Sequence, residues 1–135
     1  MTGNVTGNVT GNISGNAGSA TVLATAKSID GVSFDGSKNI IHYATCSTSA
    51  TAQEKIVNIE NFSLIEGARI LVKFTYANSA TGPRLKVNNT GSKIIRFRGT
   101  PLSSNYYWNS NAVLEFIYDG SYWQMVNTSK DTMVY

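Results

Sequence analysis

From residue 70 onward the chain alternates apolar and polar positions with the period of two that marks a half-buried strand. Ile70, Val72, Phe74 and Tyr76 fall on one face, with Lys73 and Thr75 on the other. Leu85 and Val87 alternate with Arg84 and Lys86, and Ile95 and Phe97 alternate with Arg96 and Arg98. Leu114, Phe116 and Tyr118 keep the same rhythm around Glu115. Asp119-Gly120 then joins this segment to residues 122–126, a pairing that tight hairpins favour because both residues tolerate positive φ. Asn88-Asn89-Thr90-Gly91 reads as a second hairpin loop. No long window carries a helical period, and only residues 49–55 suit a short helical turn. Strands about ten residues apart, punctuated by turn residues, predict an all-β head, specifically an antiparallel β-sandwich of jelly-roll type.

Before residue 42 the pattern differs. Residues 2–17 read TGNV-TGNV-TGNI-SGNA, a four-residue repeat with Val5, Val9, Ile13 and Ala17 in register. Four is a multiple of the strand period, so an extended chain aligns these side chains on one face. Helix is disfavoured, because a glycine at every fourth position costs roughly 1 kcal/mol each relative to alanine. One apolar side chain per repeat is too little to fold alone. The segment is therefore either a flexible linker or an extended β stalk in which identical segments of several chains pack about one axis. Residues 18–41 add sparse anchors at Val22, Leu23, Ile29, Val32 and Phe34, and Asp30-Gly31 and Asp35-Gly36 bracket a short strand at 32–34. The expected organisation is a trimeric stalk or connector over 1–41 and a receptor-binding head over 42–135, with Met1 opening a piece of a longer chain.

Composition narrows the class. With 135 residues the chain holds one domain with a real core. Charged residues make up 14%, well below the roughly 25% of ordinary soluble domains, and Asn, Ser, Thr and Gly take their place. The net charge of +3 is too mild for a nucleic-acid binder, which usually clusters Lys and Arg. The single cysteine, Cys46, excludes a disulfide framework or a cysteine zinc site within one chain, and reads as a small buried apolar residue. No apolar run reaches the length of about 18 residues that a membrane helix needs. The N-terminus lacks the basic-then-apolar order of a secretory leader, so a role outside the cell implies release by lysis.

The stretch GNAGSATVLATAKSIDGVSFDGSKNI resembles the connector of many phage and prophage tail fibres. In those, GNA-x-TA-x-x-LATA segments precede an I-x-G-V-x-F-D-G turn. The remainder, through HYATCSTSA, ILVKFTYANSA, LKVNNTGSK, FRGTPLS and LEFIYDGSYWQMV, is similar in order and spacing to the C-terminal domain of such fibres in phages and tailocin-like particles. The resemblance covers essentially the whole chain, although no single motif is diagnostic. It implies a homotrimeric fibre tip on the virion, joined to the rest of the tail fibre or baseplate. Its heads would bind bacterial surface polysaccharide or teichoic acid outside the host cell. No cofactor, nucleic acid or membrane insertion is implied. No agreed set of ligand residues comes with the family.

The residues argue for binding over catalysis. His42 is the only histidine, and no G-x-S-x-G supports a triad with Asp30 or Asp35. Glycoside hydrolysis needs two carboxylates across one bond, and Glu54, Glu60, Glu66 and Glu115 show no pairing in sequence. No catalytic residue is expected, which leaves a depolymerase as the third reading. Asp30, Asp35 and Asn39 lack the ligand density of a calcium loop, so no metal site is expected. Phe62, Phe74, Phe97 and Phe116 read as core. Tyr106, Tyr107 and Trp108 instead form a continuous run inside SSNYYWNSN. Flat rings beside amides suit sugars, which present apolar C–H faces and hydroxyls together. The candidate glycan site is therefore Asn105, Tyr106, Tyr107, Trp108 and Asn109, with Arg98 as an anionic contact. The alternative is that some of these rings plug the sandwich end or a seam between copies. Arg84, Lys86, Arg96 and Arg98 form either a basic strip for phosphate or acidic sugars or a solvated sheet face. A glycan-binding fibre tip is the reading these features favour; a purely structural shaft or baseplate decoration is its rival.

Overall fold

A computed structural model describes residues 3–12, 14, 22–103 and 108–127. Among them are ten strands and no helix: β1 (Lys27–Ile29), β2 (Val32–Phe34), β3 (Tyr43–Cys46), β4 (Glu54–Val57), β5 (Arg69–Phe74), β6 (Arg84–Val87), β7 (Ser92–Phe97), β8 (Thr100–Pro101), β9 (Ala112–Tyr118) and β10 (Trp123–Met125). The all-β expectation holds. Residues 49–55, read as a possible helical turn, instead form a turn that runs into β4.

The architecture is not an antiparallel sandwich. One sheet runs in the order β3-β5-β9-β10-β7-β6-β4, with β8 added beside β7. It curls until its edge strands, β3 and β4, pack against each other. The backbone N–H of Ile56 on β4 donates to Thr48 Oγ1, just past β3, at 3.1 Å. The neighbours β3/β5, β10/β7 and β4/β6 are parallel, whereas β5/β9, β9/β10 and β6/β7 are antiparallel. The two hairpins read from turn residues are correct: Lys86 pairs Ser92, and Tyr118 pairs Trp123. The parallel pairs join segments far apart in sequence, and alternation alone does not encode which strand a strand will meet.

Apart from β1 and β8, which are exposed throughout, each strand sends one face inward. Ile70, Val72, Phe74, Leu85, Val87, Ile95, Leu114, Phe116, Trp123 and the Cys46 thiol lie within the curl, all at most 1% exposed. Phe62 is buried with them, whereas Phe97 is only half-buried. Tyr76, beyond the end of β5, leaves the inward face and is exposed. β4 contains a polar exception, since Lys55 points inward while Ile56 faces outward. The Lys55 ammonium donates to the carbonyls of Ser49 and Ala50 at 2.9 and 3.1 Å. Burial holds its pKa below the ordinary lysine value, partly offset by Cys46.

The N-terminal hairpin β1–β2 seals the end where β5 begins. Asp30 and Gly31 both adopt positive φ, 51° and 92°, as the Asp-Gly signal predicts. Val32 enters the core and bridges to Phe62, whose ring lies 6.0 Å from that of Trp123. Backbone bonds from Ser63 to Gly31 (2.7 Å) and from Arg69 to Asp30 (3.1 Å) fasten the turn. A boundary at residue 41 would therefore cut through one packed unit, because this hairpin shares the core of the head. Residues 3–12 are exposed, and Gly3, Gly7 and Gly11 share φ of 128°, 116° and 119°. Over residues 3–12 the repeat of sequence is thus also a repeat of glycine conformation.

Gly31 is held by both backbone and space. A Cβ there would sit 2.7 Å from Ala68 Cβ and 3.0 Å from the Phe62 ring. Gly91 has the same φ, 92°, with nothing within 4 Å. Gly91→Ala should therefore show backbone strain alone, about 1 kcal/mol. Gly31→Ala should lose about 2–4 kcal/mol, since the hairpin must also shift off the core. Chemical denaturation of the two variants checks this, and equal losses would remove the packing argument.

Lys55 yields a second expectation. Its folded pKa lies below the unfolded value, so the unfolded chain binds more protons between the two. Native stability should rise with pH across that alkaline window. Lys55→Met should abolish the rise and leave the protein at least as stable at neutral pH. The two carbonyls keep other donors, from Ala52 to Ser49 and from Ser79 to Ala50. Melting curves against pH for both proteins measure it.

Candidate functional site

The loop expected to carry the site does not present its tryptophan. Trp108 is fully buried, its ring stacked on Phe74 at 4.3 Å between centroids and its Nε1 donating to the Tyr76 carbonyl at 3.1 Å. The indole thus finds an apolar contact and a hydrogen-bond acceptor at the end of the sheet where β5 stops. Assigning it as an exposed stacking surface is corrected on that ground; it is one of the end plugs. Asn105, Tyr106 and Tyr107 lie outside the described residues. Asn109 is exposed, its carbonyl capping the turn into β9 through Ala112 N–H at 3.2 Å. Arg98 is exposed in the turn between β7 and β8, at φ 52°, its guanidinium 5.1 Å from the Phe97 ring centre. Of the described candidates, Arg98, Trp108 and Asn109, none lines the cleft at the other end of the sheet.

A concave site lies at the opposite end. A cleft of about 380 Å³ opens between the chain leaving β2 and the chain leaving β4, a volume within the range of about 300–1,000 Å³ common for small-ligand sites. Phe34 and Tyr43 supply its aromatic surface, and Tyr43 is 45% exposed. Asn39 on one side, and Asn58 and Asn61 on the other, line the cleft together with Ser33 and Ser37.

Local hydrogen bonding builds both walls. On the first, Asp35 Oδ1 accepts from Ser37 N–H at 2.8 Å, tightening the turn after β2. These bonds from Ser37, side chain and backbone, hold the Asp35 carboxyl below the usual carboxylate range. On the second, Asn88 acts as a splint. Its side chain accepts from Ile59 N–H at 2.8 Å and donates to the Ile59 carbonyl at 2.7 Å. Its own N–H reaches Val57 O at 2.9 Å, and its φ of 51° suits an asparagine. The walls are tied by Ser33 N–H to Asn61 O at 3.1 Å and by the Lys38–Glu60 ion pair at 2.5 Å. Glu60 in turn raises the Lys38 pKa.

This arrangement suits binding through amides, hydroxyls and an aromatic face. Two carboxylates, Asp35 and Glu60, do line it. Asp35, held ionised by its own turn, is a poor general acid, and Glu60 is engaged by Lys38. His42 sits next to Tyr43 but turns its Nδ1 toward Asp30 Oδ2 at 3.5 Å, and its Nε2 is shielded from solvent. No group of three or more His, Cys, Asp or Glu able to hold a metal occurs among the described residues.

None of the cleft residues was singled out from sequence as a ligand contact. Its two walls are some twenty residues apart, and the only local sign is the density of short polar residues in SKN and NIEN. No protein-family model matches the chain, and no curated protein matches it.

The burial of Trp108 makes a direct test. Trp108→Ala should cost about 3–5 kcal/mol, as removal of a core tryptophan generally does. A melting temperature within a degree or two of the parent's would show that the ring does not plug the sheet.

Proposed function

We propose that the chain is the tip of a trimeric tail fibre that attaches a virion to a bacterial surface glycan, without cleaving it. The cleft between β2 and the chain after β4 is its binding site. The observation that carries the reading is the cleft's lining: a half-exposed tyrosine together with three asparagines and two serines. A pyranose stacks its C–H face on such a ring while its hydroxyls exchange hydrogen bonds with amides. The order of motifs along the chain, similar to that of tail-fibre tips, supports the same assignment. Trimer formation is supported by the repeat, in which Val5 and Val9 are 56% and 54% exposed. Each leaves an apolar side chain for a neighbouring copy to cover. Weak individual sites suffice for such a fibre, because several heads raise effective concentration.

A structural module is the rival reading, and the outer surface offers it some support. Trp108 is spent on the core, and Leu71 and Val113 are exposed on the outer face of β5 and β9, a surface suited to another subunit. The depolymerase reading gains none, since Asp35 is engaged by Ser37 and Glu60 by Lys38.

Whole-cell binding and a glycan array with the purified chain separate these possibilities. Tyr43→Ala should weaken binding by about tenfold or more, the usual loss for an aromatic anchor, with the melting temperature almost unchanged. Unaltered binding by this variant would place the glycan elsewhere. A parent protein that binds no cell surface would favour the structural module.

A further inference from the structure

Two acids and one base line the cleft: Asp35, Glu60 and Lys38. At neutral pH it therefore carries a net negative charge, on a chain whose own balance is +3. The base is committed, since the Lys38 ammonium donates to Glu60 Oε1 at 2.5 Å. Asp35 is the acid left over. Its half-buried carboxylate is held by the side chain and the backbone N–H of Ser37. Those donors are neutral, so they fix the carboxylate without cancelling its charge. Of the effects that bear on this carboxyl, the charge of Lys38 is the smallest.

The aromatic surface of the cleft suits a ligand of the opposite charge. Phe34 and Tyr43 both line it, and Tyr43 is 45% exposed. A ring face is electron-rich, and it attracts a cation as well as the C–H face of a sugar. A sphere of the cleft's volume, about 380 Å³, is roughly 9 Å across, close to the Debye length at physiological salt. A sugar seated on Tyr43 is therefore within electrostatic range of Asp35. A neutral sugar there would strip water from the carboxylate and bring no counter-charge, whereas an ammonium offsets that loss. A phosphate or a uronate would be repelled.

We propose that the cleft selects an amino sugar with a free, protonated nitrogen, the ammonium against Asp35 and the pyranose face on Tyr43. This rests on the reading of the cleft as a glycan site and goes beyond it by fixing the charge of the ligand. Asp35 is the residue that sets specificity, and the Lys38–Glu60 pair holds the rest of the cleft close to neutral.

The test is binding of the purified chain, at low salt, to a glucosamine tetramer, to its fully N-acetylated counterpart and to trilysine. The glucosamine tetramer should bind about fivefold more tightly than the N-acetylated one, the upper end of what a partly exposed ion pair contributes. Asp35→Asn should abolish that difference, because its amide oxygen still accepts from Ser37 N–H while the charge is gone. Lys38→Gln should widen it, since Glu60 is then left without its cation. Trilysine should bind more weakly than the glucosamine tetramer, because it brings charge without a pyranose face for Tyr43. Melting curves confirm that each variant is folded. Equal or tighter binding of the N-acetylated tetramer would overturn the cationic assignment and leave the cleft a site for neutral sugars. Trilysine bound as tightly as the glucosamine tetramer would reduce the effect to charge and overturn the amino sugar. Failure of all three probes would overturn the proposal, and the effect of Tyr43→Ala on cell binding then decides separately whether the cleft takes a glycan at all.

Discussion

A sheet that curls on itself buries its inner face only if both open ends are stoppered, and this chain uses a different device at each. At the end where β5 stops, Trp108 stacks on Phe74 and spends its one donor on the Tyr76 carbonyl. At the other, the β1–β2 hairpin inserts Val32 against Phe62 and Trp123. The second stopper depends on a contact too close for any side chain but glycine's, because Gly31 lies where a Cβ would strike Ala68. Water entering at either end would face apolar side chains from every strand of the sheet, so both plugs act on the whole core. Docking the hairpin also places the chain leaving β2 beside the chain leaving β4. The cleft is thus a by-product of sealing the sheet.

Three polar side chains of this interior are satisfied, whereas Trp123 Nε1 is buried without a hydrogen-bond partner among the described residues. Lys55 brings a charge inward but ends on two carbonyls at the rim. Asn78 is fully buried and satisfied within its own turn, donating to the Ala80 carbonyl and accepting from Ala80 N–H. Asn88 takes the place of a strand residue against Ile59. In each case a side chain completes backbone hydrogen bonding where strand pairing stops, the condition under which burying it is tolerable. The splint by Asn88 matters most for the cleft, since it fixes the backbone that carries Asn58 and Glu60.

Much of the fold was legible because strands announce themselves locally. Alternation found the inward sets on β5, β6, β7 and β9, and Asn-Thr-Gly and Asp-Gly found the two hairpins. Partner choice was not legible: β3 with β5, and β10 with β7, pair in parallel across long separations, and sequence periodicity is the same whichever neighbour a strand meets. Trp108 was misread for a related reason. A run of three aromatics in a polar loop does signal that not all can be buried, but it does not say which one turns inward. The cleft was invisible in sequence, since its amides come from two segments that only the hairpin docking brings together. The basic residues on β6 and β7 were visible as a strip. Sequence did not reveal which of them meet acids, as Lys86 meets Glu54, because that depends on the pairing of β4 with β6.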